Sequence, residues 1–448
     1  MRKSRMAGGI VAALVLAGTA ACSAGSSTDD DGKLTFMFRG GEDEKAAYQE
    51  AIDRFSADTG VEVEVIVTDP DQYGTKLQAA ISGHNVPDVF YIEQASLQSY
   101  VTSGILLDIT DLVADSGIDL DNLWEYGVDS YRYDGKLQGT PDGALYGLPK
   151  DVGPFAMGYN KTMLEAEGIE LPDPDEPLTW DEWLDIMKQV TKDTDGDGDI
   201  DQWGTGLNVQ WNLQALAWSN GADWTNADKT EVTVDTPQMA EALQYIADMT
   251  TVEGVTPSSE QQATLDTYQR WMEGELAFFP VGPWDVSTYN ELDFDYDLIP
   301  YPAGATGEPA TWVGSLGIGV SATTAMPEEA TELVTYLSAD ETAQETLVDA
   351  GIQVPNLRDM AAEYASGEGT PANRQEFLDI VEDYGRPMPA AVTYGAAWYD
   401  EMWTNIQPVL DGKQTAADYL AEVQPRMQQL LDESNVQAEQ AAAANASE

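Results

Sequence analysis

Lys33 to Val67 reads KLTFMFRGGEDEKAAYQEAIDRFSADTGVEVEVIV, and the order of its periodicities sets the fold class. KLTFMF alternates like a strand, and Arg39-Gly40-Gly41 makes a turn. Glu44 to Thr59 then places Ala47, Ile52 and Phe55 on one helical face before Gly60 stops it. Val61 to Val67 alternates again. Further along, Tyr73 to Ser82 reads as a helix and Asp88-Val89-Phe90-Tyr91-Ile92 as a buried strand. This βαβαβ rhythm predicts a parallel, helix-covered sheet of the α/β class. Ligands of such sheets sit beyond the carboxyl ends of the strands, which selects the loops Arg39 to Asp43 and Glu93 to Ser96.

A second region begins near Leu148-Pro149-Lys150-Asp151, with a strand over Pro154 to Tyr159. Thr179 to Lys192 reads as an amphipathic helix, Thr179 its N-cap and Glu182 the partner that completes a capping box. Helices follow at Gln238 to Thr251, Thr264 to Glu273, Glu328 to Asp349 and Thr415 to Leu431. Strands are expected at Glu275 to Phe279, Tyr296 to Ile299 and Gly317 to Val320. Residues 432–448 read as a tail, either a fraying helix or disordered.

At the other end, Arg2, Lys3 and Arg5 precede an apolar stretch, Gly8 to Ala17, too short to span a bilayer. Residues 1–21 therefore read as a secretory signal. Cys22, the only cysteine of the chain, closes it and resembles the lipidated cysteine of bacterial lipoproteins; ordinary cleavage after Ala21 is the alternative. Residues 22–32, small and acidic, suit a flexible tether. With Cys22 lipidated, no disulfide is available, and the core must suffice alone. At 448 residues and 43% hydrophobic content, the chain can build it. Its 79 acidic against 21 basic residues repel nucleic acid and anionic lipid surfaces, which excludes both as main partners.

Motifs for catalysis are missing. Val313 stands where Gly314-Ser315-Leu316-Gly317 would need the first glycine of a nucleophile elbow, and the single histidine, His84, precludes a two-histidine metal site. Asp193-Thr194-Asp195-Gly196-Asp197-Gly198-Asp199-Ile200-Asp201 follows the spacing of a calcium-binding loop. The candidate ligands are Asp193, Asp195, Asp197, Asp199 and Asp201, although Gly204 replaces the final bidentate glutamate. A simple Asp/Gly turn is the competing reading.

Several phrases stand out along the chain, in this order: Val86-Pro87-Asp88-Val89-Phe90, Ser103-Gly104-Ile105-Leu106-Leu107, Met157-Gly158-Tyr159-Asn160-Lys161, Thr179-Trp180-Asp181-Glu182-Trp183, Gly282-Pro283-Trp284-Asp285 and Trp312-Val313-Gly314-Ser315-Leu316-Gly317. In that order they resemble the family 1 extracellular solute-binding proteins of ABC sugar importers, over about Lys33 to Leu431. The resemblance implies a periplasmic-binding-protein-like fold of two α/β lobes with a ligand cleft between them. Its hinge would be crossed at Tyr146 to Asp151, Pro300 to Gly304 and Gly351 to Pro355. One lobe would then hold 33–147 and 303–350, the other 148–302 and 351–431.

The same resemblance implies a non-enzymatic, lipid-anchored protein at the extracellular face of the cell membrane, passing a neutral oligosaccharide to the transmembrane permease subunits. No cofactor is required beyond the candidate calcium. A sugar offers apolar C–H faces to aromatic rings and hydroxyls to polar groups. Trp284, Trp398 and Trp211 fall at the family's aromatic contacts, while Trp183, Trp271 and Trp403 read as core. The polar candidates are Arg39, Glu42, Glu93, Gln94, Asp151 and Asp285. Gly314 and Ser315 would offer backbone donors, and Tyr394 joins the set. Ile92 and Ala95 replace the tryptophan and carboxylate of maltose binders, so the sugar stays open. The rival readings are a secreted glycoside hydrolase and a binder of a polyamine or peptide.

Overall fold

The computed structural model describes residues 32–367 and 369–445, the side chain of Asn445 aside. The signal segment, Cys22 and nearly all of the tether lie outside the described residues. No helix among the described residues is long and apolar enough to cross a membrane.

Two separate sheets account for the two lobes. The first runs in the order Glu62–Thr68, Lys33–Arg39, Val89–Glu93, Leu316–Val320, Leu148–Pro149. Its first three strands are parallel, as the βαβαβ pattern requires, whereas Leu316–Val320 enters antiparallel to both neighbours. Position explains the sequence of each strand. Val89, Phe90, Tyr91 and Ile92 are fully buried in a central strand, while the glutamates of Glu62–Thr68 alternate outward along an edge. Helix Glu42–Thr59 covers this sheet with Ala47, Ile52 and Phe55, as their spacing predicts.

The second sheet runs Tyr296–Ile299, Ala156–Asn160, Leu276–Val281, Trp203–Thr205. Helix Trp180–Val190 begins with the expected capping box: Thr179 Oγ1 accepts from the Glu182 N–H at 3.3 Å, and Glu182 Oε2 accepts from the Thr179 N–H at 2.9 Å. Trp183 is fully buried in the core of this lobe, and Trp271 in an aromatic cluster beside it. Trp403 packs against the first of these.

Three sequence expectations change. The helix expected over Glu328 to Asp349 is two helices, Pro327–Ala339 and Glu341–Asp349, because the Asp340 carboxylate accepts from Thr342 N and Ala343 N and starts the second. The tail does not begin at 432: helix Ala416–Asn445 continues with Ser434 buried and Asn435 Nδ2 donating to the Lys229 carbonyl at 3.2 Å. This helix reaches helix Leu97–Thr102 of the first lobe. The second hinge crossing also lies later than Pro300 to Gly304. Ala303 N donates to the Leu178 carbonyl and Thr306 N to the Ser219 carbonyl, so this stretch stays with the second lobe. The chain changes lobes between Thr311–Gly314, which pairs with Gly153–Pro154, and Leu316–Val320 of the first sheet. Ser315 is the crossing residue.

Candidate functional site

At the hinge, backbone and side chains from three chain passages meet around Lys150 and Asp151. Asp151 Oδ1 accepts from Leu316 N at 3.0 Å, and the Ser315 hydroxyl donates to the Asp151 carbonyl at 2.5 Å. Asn356 Nδ2 donates to the carbonyls of Pro149 and Lys150 at 2.9 and 3.0 Å. Lys150 is only 3% exposed. Its ammonium lies 3.0 Å from Asp151 Oδ2 and 3.3 Å from Glu44 Oε1. Burial alone would lower its pKa, but the two carboxylates outweigh burial and hold it above the ordinary lysine range.

Beside the hinge stands an aromatic group. Trp284, in the turn Pro283–Asp285 after strand Leu276–Val281, is 38% exposed. One face of its indole stacks on Phe155, centroids 5.5 Å apart and planes 12° from parallel. Trp211 and Trp312 meet Phe155 edge-on at 4.6 and 5.6 Å, and Trp312 meets Trp284 edge-on at 6.2 Å. Glycines make room for the rings: a Cβ on Gly282 would stand 2.3 Å from the Trp284 ring, and one on Gly314 2.4 Å from that of Trp312. The Asp285 carboxyl is pushed up by burial against the opposing hydrogen bonds of Tyr289 and Trp284.

The first lobe contributes the strand ends. Arg39 and Glu93 pair at 3.1 Å, and Glu93 sits in register opposite Leu316, next to the hinge. Gln94 is buried. Its Nε2 donates to the Tyr126 hydroxyl at 2.8 Å and the Ser130 hydroxyl at 2.7 Å, and Tyr126 donates to the Val313 carbonyl. Burial pushes the Tyr126 phenol up to about 12. Tyr126 thus bridges the two lobes, and Gln94 holds it from the first.

Trp284, Trp211, Gly314, Ser315, Asp151, Asp285, Glu93 and Arg39 thus gather around the hinge ends of the two sheets. Three others do not join them. Trp398 is 0% exposed, with Nε1 donating to Thr393 Oγ1 at 3.0 Å; it packs the second lobe's core and offers no face to a ligand. Glu42 is an exposed residue opening helix Glu42–Thr59, paired at 3.7 Å with Lys45. Tyr394 lines a different cavity of about 590 Å³ with Gln98, Tyr133, Lys229 and Asn435. Sequence reasoning missed Phe155, Trp312, Lys150 and Glu44. A signal existed for Trp312, which precedes Gly314-Ser315 in a motif otherwise read for its backbone.

The Asp-rich loop forms a cluster of its own. Carboxylate oxygens of Asp193, Asp195 and Asp197 fall within 4.8 Å of one another. Asp193 accepts from Gly196 N and Gly198 N, which lowers its pKa. Asp199 is outside that trio, and Asp201 is turned to Thr194 N and Oγ1, at 2.9 and 2.8 Å, so neither completes a five-aspartate shell. The three oxygens fit part of a calcium coordination sphere, which takes six to eight.

With this geometry in view, comparison with known proteins is specific. The family model for bacterial extracellular solute-binding proteins matches residues 40–344. The chain is 25% identical over 340 residues to the maltodextrin-binding protein of Bacillus subtilis, covering 75% of this chain and 76% of that one. It is 24% identical over 355 residues to the diacetylchitobiose-binding protein of Streptomyces coelicolor, covering 74% and 78%. Among solved structures, an ABC substrate-binding protein from Listeria monocytogenes in complex with cycloalternan shares the fold. Its TM-score is 0.77 at 23% identity, over 89% of this chain and 99% of that one.

Proposed function

Because the chain belongs to the family of bacterial extracellular solute-binding proteins, we propose that it captures a neutral oligosaccharide between its lobes for delivery to an ABC permease. The observation that carries this reading is the Trp284 platform. A half-open indole backed by Phe155 and flanked by Trp211 and Trp312 suits the C–H face of a sugar ring, with the polar hinge groups beside it for hydroxyls. The named ligands of the relatives, maltodextrin and diacetylchitobiose, are of that class. Binding without cleavage is the reading that membership of a solute-binding family supports.

Two further parts of the reading rest on the sequence. Cys22 anchors the protein by lipid, so Cys22→Ser should release it into the medium. The loop around Asp193, Asp195 and Asp197 holds a structural calcium, so EDTA should lower the Tm of the wild type and not that of Asp195→Ala/Asp197→Ala.

A thermal-shift panel of maltotriose, diacetylchitobiose, arabinotriose, spermidine and a tripeptide tests the function directly. A neutral oligosaccharide is expected to raise the Tm and to be recovered intact after long incubation. A shift confined to spermidine or the peptide, or the accumulation of shorter sugars, would overturn the proposal.

A further inference from the structure

Glu44 stands in the first turn of helix Glu42–Thr59, and its two carboxylate oxygens have unlike surroundings. Oε1 accepts from the Tyr91 hydroxyl at 3.1 Å and lies 3.3 Å from Lys150 Nζ. Both partners are buried, Tyr91 completely. Oε2 takes no hydrogen bond among the described residues. It rests over Gly40, where a Cβ would stand only 2.4 Å from it. Gly40 directly follows strand Lys33–Arg39, so Oε2 lies at the carboxyl end of a parallel strand, where sheets of this kind receive their ligands. The side chain is one-fifth exposed.

This is a pre-set acceptor. One hydroxyl donor and a buried ammonium on one oxygen hold the carboxylate's orientation, and the lone pairs of the other are unused. Lys150 carries the arrangement into the hinge, since its ammonium also holds Asp151, whose Oδ1 takes the N–H of Leu316. We propose that Glu44 Oε2 accepts a hydrogen bond from a hydroxyl of the bound sugar and selects among sugars by it, with Gly40 keeping the place of that oxygen clear. The assignment rests on the sugar-binding reading. A site built around one acceptor discriminates strongly against a ligand lacking the matching donor.

Glu44→Gln and Gly40→Ala separate this role from a purely structural one. The glutamine cannot accept as a charged group, and the alanine displaces Oε2 while leaving the Lys150–Asp151 pair in place. Gly40 is not among the positive-φ glycines, so alanine suits its backbone. Calorimetric titration would use maltotriose, diacetylchitobiose and arabinotriose, with Glu50→Gln on the exposed side of the same helix as control. For whichever sugar the wild type binds, both variants should bind at least about tenfold more weakly, the loss expected of a charge-assisted hydrogen bond. The control should match the wild type. A Glu44→Gln that lowers Tm with Kd unchanged, together with a Gly40→Ala that binds normally, would show Glu44 to be only a hinge partner and overturn the assignment. If the wild type binds none of the three sugars while the control folds normally, the sugar reading fails first and this assignment with it.

Discussion

Trp284 and Trp398 are drawn from the same lobe by the same reasoning, each a tryptophan at a family contact position, yet the fold uses them in opposite ways. Trp284 follows a strand, leans on Phe155 and keeps 38% of its surface open. Trp398 lies in helix Ala397–Thr404, its indole N–H spent on Thr393 and its surroundings filled by core residues. A ring on a turn after a strand has one face left over. A ring on the inner side of a helix, under the long helix Ala416–Asn445, has none.

The contrast is easiest to break through stability. Trp398→Ala should cost about 3–5 kcal/mol, the range for emptying a large aromatic site. Urea denaturation measures it. A Trp398→Ala protein of wild-type stability with weakened sugar binding would return that residue to the site.

The same contrast between buried and open surroundings recurs among the glutamates, with a smaller effect. Exposed Glu182 accepts from the Thr179 N–H and hydroxyl, which draw its carboxyl below the ordinary value. Glu376 is 2% exposed and accepts from the Tyr384 hydroxyl. Burial first, then the nearby charges of Asp379 and Asp175, push its pKa up to about 9. A folded-state pKa above the unfolded one means the native protein holds the extra proton, so this stability is full at low pH and is lost as pH rises toward 9. Glu376→Gln, neutral at every pH, should remove that loss and exceed the wild type by at least ~1 kcal/mol at pH 9, since one pKa unit is worth about that much. Melting curves of both proteins from pH 5 to 9 would show the gap opening. Parallel curves would mean that the carboxyl is ionised in the fold.

Much of the framework was legible in local pattern. Period-two runs at Lys33 and Val61, the period of Glu44 to Thr59, and the Thr179/Glu182 box each depend on near neighbours in sequence, and each appears where expected. What was misplaced depends on distant partners. Pro300 to Gly304 carries turn residues suited to a crossing, but Leu178 and Ser219 hold the segment on the second lobe. The stretch past Leu431 reads as a fraying helix or a disordered tail; it is helical, and Ser434 and Asn435 continue the inner face of the helix against Lys229 and Gly395. Among the candidate residues, Arg39, Glu93 and Asp151 were proposed from strand ends and a hinge motif, and the structure sets them beside the hinge. Glu44 became visible only when Lys150, more than a hundred residues away, was brought beneath it.

A sugar is proposed to lie on the open indole of Trp284. Titrating wild type, Trp284→Ala and Trp398→Ala with the oligosaccharide that stabilises the wild type tests it most directly, provided Tm is recorded on the same samples. Trp284→Ala should keep its Tm near wild type while losing more than about tenfold in affinity, at least ~2 kcal/mol for an aromatic anchor buried by its ligand. Wild-type affinity in Trp284→Ala would contradict it.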